Sequence, residues 1–114
     1  SLMRQDAEYR SYQVDIHTYL TNLITRAKNY LSSDNYDQAF NLIRTPFSQK
    51  IWLQVEDENL REQYHYDFLE IFVLSSVNKE GLSSLVLDFI TEMENYGQME
   101  LKEKAQKLLT SLTN

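Results

Sequence analysis

Residues 27–43, Ala-Lys-Asn-Tyr-Leu-Ser-Ser-Asp-Asn-Tyr-Asp-Gln-Ala-Phe-Asn-Leu-Ile, constrain the fold more than any other stretch of the chain. They read as the corner of a helical hairpin. Ala27 is small enough to let a second helix approach closely. Tyr30 and Leu31 close the first helix, and a polar turn of Ser32, Ser33, Asp34 and Asn35 follows. Tyr36, Ala39, Phe40 and Ile43 then return at spacings of three and four, the period of one helix face.

The rest of the chain repeats that period. The first helix is expected over residues 2–31, with Ile16, Leu20, Leu23, Ala27 and Tyr30 on one face. A second helix over 35–44 is expected to stop at Thr45-Pro46, because proline breaks a helix interior but suits a first turn. A third would then run over 46–55 with Phe47, Ile51 and Val55 inward, and a fourth over 60–77. Asn59 and Glu62, like Asn35 and Gln38, have the spacing of a capping box. From Phe68 onward the fourth helix is apolar on nearly every side, which marks it as central. A fifth helix ends near Tyr96 with Gly97 as its C-terminal cap. A sixth spans 98–113 and turns Leu101, Ala105, Leu108 and Leu112 inward. Phe40, Phe68, Ile71, Phe72, Leu85, Phe89 and Leu108 are the expected core. Two glycines and one proline are too few for the tight turns of an all-β fold. The expectation is an all-α single domain of five to six antiparallel helices.

The N-terminal helix carries one further pattern. Leu2, Gln5, Tyr9, Tyr12, Ile16, Tyr19, Leu23, Arg26 and Tyr30 alternate spacings of three and four, like heptad a and d positions. The first residues are otherwise polar. Residues 1–15 are therefore expected to project from a domain formed by 16–114 and to continue an upstream coiled coil. Tyr9, Tyr12, Ile16 and Tyr19 are the expected partner-binding residues, together with Trp52, because aromatic residues anchor interfaces. The covering partner is a protein, or a second copy pairing through the first helix.

Several functions are disfavoured. Seventeen acidic and 11 basic residues give a net charge of −6, the wrong sign for a phosphate backbone, so nucleic acid is an unlikely ligand. Lys102, Lys104 and Lys107 are interleaved with Glu100 and Glu103 and read as a solvated face. The chain has no cysteine, which excludes disulfide and thiol chemistry and fits the cytosol. No apolar run approaches the roughly 20 residues that span a bilayer. There is no Gly-rich phosphate loop and no nucleophile elbow. His17 and His65 are the only histidines. Glu62 and His65 have Glu-x-x-His spacing, but di-iron bundles need that motif twice with further carboxylates. No metal, cofactor or catalytic residue is assigned, and no enzyme is expected.

Two resemblances extend this reading. Residues 27–43 resemble part of one tetratricopeptide hairpin, about half of a 34-residue repeat. Tyr36, Ala39-Phe40, Ile51-Trp52-Leu53 and Glu56-Asp57, followed by buried helices from Phe68, resemble the C-terminal helical domain of Varicose-type mRNA-decapping scaffolds. The chain departs from that family in a shorter spacing between Ala-Phe and Trp, and in Leu42-Ile43 where a second Ala-Leu is expected. The resemblance implies a HEAT-like helical stack that acts in self-association and partner binding in cytoplasmic granules. The expected function is a non-catalytic interaction module of this kind. The alternative is a ligand- or peptide-sensing helical domain of a transcription regulator.

Overall fold

The longest element, helix α1 (Leu2–Ser32), runs 31 residues, about 46 Å at 1.5 Å per residue. It dominates a molecule whose extents are 56 × 33 × 19 Å. The computed structural model describes residues 2–113, with side chains described from residue 3. Four helices follow: α2 (Tyr36–Ser48), α3 (Glu58–Ser75), α4 (Leu82–Tyr96) and α5 (Met99–Thr113). A single 3-10 turn, Ile51–Gln54, joins α2 to α3. No strand occurs among the described residues, so the fold is an all-α stack.

The two tight corners share one chemistry. At the end of α1 the Asn35 amide donates to Tyr30 O (2.8 Å) and the Asp34 amide to Leu31 O (3.1 Å). After α4 the Gln98 amide donates to Met93 O (2.9 Å) and the Gly97 amide to Glu94 O (3.2 Å). Both pairs make a Schellman motif, which needs a left-handed residue. Asp34 (φ 60°) supplies it at the first corner and Gly97 (φ 72°) at the second. Ala27 and Ala39 are fully buried, as close packing of α1 on α2 requires.

Helix α3 lies between two hydrophobic clusters. Tyr64, Phe68 and Ile71 pack with Leu20, Leu23, Ile24, Ala27 and Ile43 of α1 and α2. Tyr66, Leu69 and Val73 pack with α4 and α5 around Val86, Phe89, Met93 and Ala105. Phe47 and Phe72 touch both clusters. α3 is thus the central helix. Its start is fixed by Asp57, whose Oδ1 accepts from the Leu60 amide at 2.9 Å. At its end Lys79 Nζ donates to Val73 O at 2.8 Å.

Four local expectations are corrected. Pro46 does not end the second helix: α2 runs through it to Ser48. The helix loses one backbone bond there. In exchange it delivers Phe47 to a stack on Phe72, with centroids 4.5 Å apart, and to Trp52 at 5.6 Å. A left-handed Lys50 (φ 51°) then stops it, and the expected third helix over 46–55 shrinks to the 3-10 turn. The capping residue of α3 is Asp57 rather than Asn59, and Asn35 caps α2 without a side-chain bond. Leu85 is 39% exposed instead of buried, while Phe40 and Phe72 are half-buried.

Phe68 is fully buried where α3 meets α1 and α2. Phe68→Ala should lower the unfolding free energy by about 3 to 5 kcal/mol, read from urea denaturation by far-UV circular dichroism. A loss below about 1 kcal/mol would show that this position is not in a packed core.

Candidate interaction surface and a buried acid–histidine cluster

Tyr12 and Tyr19 of α1 lie along the edge of its buried face. Counting 100° per residue, Tyr12 and Tyr19 are rotated about 80 to 100° from the fully buried Leu20. Both are about half exposed, at 48%, and Tyr9 is 47% exposed. Residues 3–12 are all exposed, and Gln13 is the first half-buried position. Tyr12 and Gln13 reach across to the corner before α3. The Tyr12 hydroxyl donates to Gln54 Oε1 at 2.5 Å. Gln13 Nε2 donates to Gln54 O at 3.0 Å, and its Oε1 accepts from the Glu56 amide at 3.1 Å. Partial burial, then the hydrogen bond and charge of Glu56, push the Tyr9 phenol up. One turn further along, His17 Nδ1 meets the hydroxyl of the buried Tyr64. A cleft of about 400 Å³ runs between Gln13, Val14, His17 and the Val55–Leu60 corner.

The structure divides the five expected partner residues. Tyr9, Tyr12 and Tyr19 are on the surface. Ile16 turns inward against the α1–α2–α3 cluster, because it falls on the same face as Leu20 and Leu23. Trp52 is only 3% exposed and belongs to the core, so it offers no surface anchor. Leu2 lies outside the described side chains. The stripe therefore does not form one continuous outward seam, since Leu23 is buried in its own domain as well.

Trp52 instead organises a second cluster that sequence reasoning saw only in part. Its indole stacks on the His65 imidazole, 4.3 Å between centroids and 9° from parallel. Phe89 meets the same imidazole edge-on at 4.8 Å and 88°. Two residues of α3, Glu62 and His65, share one face because they are three apart. Glu92 of α4 joins them, and one ligating atom from each of the three lies within 4.8 Å of the others. Glu62 is 4% exposed. Arg61 Nε sits 3.7 Å from its Oε1, while Oε2 has no hydrogen-bond partner. His65 Nδ1 lies 3.6 Å from Oε2, too far for a hydrogen bond. A buried acceptor left unpaired costs about 1 to 3 kcal/mol. Burial, and then the charge of Glu92, push the Glu62 carboxyl up despite Arg61. Burial and the charge of Lys50 hold His65 down at about 4. The Glu62-x-x-His65 spacing was the only legible trace of this cluster, because Glu92 arrives from another helix.

The chain matches no protein-family model, no curated protein and no solved structure.

The His65 shift has a measurable consequence. Its folded value of about 4 lies below the ordinary histidine value near 6.5. Between those limits the unfolded chain binds a proton that the folded one refuses. Stability from this group is complete above pH 6.5 and falls as the pH drops toward 4, by up to about 1.4 kcal/mol per pH unit. Glu62 acts in the opposite sense, since its raised value makes folding easier as acid neutralises it. Comparing the chain with His65→Phe isolates the histidine. In metal-free buffer the parent should lose stability faster than the variant from pH 6.5 to 4 by urea denaturation. Parallel curves would contradict a buried, neutral His65.

Proposed function

We propose that the chain is a non-catalytic protein–protein interaction module that associates with a second copy of itself through the N-terminal half of α1. The observation that carries this reading is the row of half-exposed tyrosines, Tyr9, Tyr12 and Tyr19, on a helix that extends past its own domain. A large, rigid aromatic surface at low entropic cost is what hot spots use. The flanking charges are of both signs: Arg4 and Arg10 against Asp6, Glu8 and Asp15, with Arg4 Nε already 3.5 Å from Glu8 Oε1. An antiparallel, self-complementary pair sets such charges opposite one another. Because Ile16 and Leu23 are taken by the domain's own core, the shared seam is short and the pairing weak. The more specific form of this proposal, the C-terminal domain of a cytoplasmic mRNA-decapping scaffold, rests on the Tyr36, Ala39-Phe40, Ile51-Trp52-Leu53 and Glu56-Asp57 resemblance. No described helix is long and apolar enough to cross a membrane, consistent with a partner outside the bilayer.

A second reading, the peptide- or ligand-sensing domain of a regulator, has one feature in its favour. An apolar cleft of about 550 Å³ between α2 and α4 is lined by Phe40, Phe72, Val77, Leu82 and Leu85. Its test is direct: Leu85→Glu would abolish ligand binding there and leave self-association through α1 unchanged.

Self-association is tested by sedimentation equilibrium at concentrations up to about 1 mM, where even a contact worth about 4 kcal/mol is half-formed. The parent chain should dimerise. Tyr9→Lys combined with Tyr19→Lys should give a monomer with unchanged circular dichroism, because neither side chain is part of the core. A parent that stays monomeric throughout would end the proposal, as would a double variant that dimerises equally well.

A further inference from the structure

We propose that Glu62, His65 and Glu92 bind one divalent cation of the zinc class at the seam between α3 and α4. The donor set is an imidazole and two carboxylates, a combination that suits such ions. The three ligating atoms lie within 4.8 Å of one another, and Glu62 Oε2 is 3.6 Å from His65 Nδ1. A tetrahedral ion with nitrogen and oxygen ligands at about 2.0 to 2.2 Å sets its ligands about 3.3 to 3.6 Å apart. A small side-chain adjustment of Glu92 closes the remainder.

A cluster of acids alone carries little weight, since exposed acids gather without a metal. The independent observation is Glu62. Its side chain is 5% exposed, and its Oε2, the oxygen turned toward His65, has no hydrogen-bond partner. Arg61 approaches the other oxygen. A buried carboxylate oxygen aimed at an imidazole nitrogen that is too distant to donate, with a second carboxylate opposite, lacks a positive centre between the three. Trp52 on the face and Phe89 at the edge hold the imidazole plane. An entry path exists too: a cleft of about 440 Å³ reaches His65 and Glu92 past Lys50 and Asp88. Three protein ligands leave a fourth position open to water on that side.

Trp52 is the only tryptophan in the chain, and its contact with His65 makes it a reporter. Protein stripped of metal is titrated with Co²⁺, whose d–d absorption and paramagnetism quench a nearby indole. With protein at about 100 μM, quenching should saturate at one equivalent. Zn²⁺, which does not quench, should displace Co²⁺ and restore the emission. Glu92→Gln should weaken binding at least about tenfold, the loss that even a change outside the ligand shell brings, and Glu62→Gln should do the same. Glu92 is half-buried at the cleft edge, so its variant should keep the fold, which far-UV circular dichroism checks. Asp88→Asn removes a cleft charge without removing a ligand and should leave affinity within about twofold. No saturable quenching up to about 1 mM Co²⁺ would overturn the proposal. So would parent-like affinity in Glu92→Gln, or an equal loss in Asp88→Asn, which would indicate diffuse charge attraction.

Discussion

The structure depends on α3 being buried on two sides at once. A helix has only about 3.6 residues per turn, so two opposed apolar faces leave little room for polar positions. α3 meets that demand with Tyr64, Phe68 and Ile71 toward α1 and α2, and Tyr66, Leu69 and Val73 toward α4 and α5. Each helical hairpin completes its cluster with residues of α3. Phe47 and Phe72 join the two clusters, and the extension of α2 through Pro46 exists to place Phe47 there. The lost backbone bond is offset by aromatic contacts that a helix ending at Thr45 would forgo.

That same demand explains why Glu62 is conspicuous. It lies on α3 beside Arg61, His65 and Glu92, and its carboxylate is buried with one oxygen unpaired. Such a group costs stability unless something compensates it. Trp52 and Phe89 hold the neighbouring His65 imidazole between them, 3.6 Å from that oxygen. The tyrosine edge of α1 and this cluster are on different parts of the molecule and make separate demands. One is surface left uncovered, and the other is charge left uncompensated.

Much of the fold was legible because helical period and corner chemistry are local. Ala27, the Ser32–Asn35 turn and Gly97 each specify a backbone event within a few residues, and all three stand where the sequence puts them. What was not legible depends on tertiary packing. Pro46 reads as a helix stop unless Phe72 is known to await Phe47. Trp52 reads as an interface anchor because nothing nearby in the chain announces that His65 will stack on it. Ile16 fits a heptad seam and a core face equally well, and only the position of α2 and α3 decides between them. Leu85 follows the apolar period of α4, yet the neighbouring helices leave it at a cleft. Glu62 and His65 share a face by spacing alone, whereas Glu92 required the α3–α4 docking.

The central claim, that α3 is the shared keystone of both clusters, is tested most directly by native-state hydrogen exchange. Amides of residues 64–73 should exchange only through global unfolding, with protection equal to the full stability, while residues 3–12 exchange fastest. If α4 and α5 retained protection while the centre of α3 opened through a smaller, sub-global event, the two hairpins would be independent and the account would be contradicted.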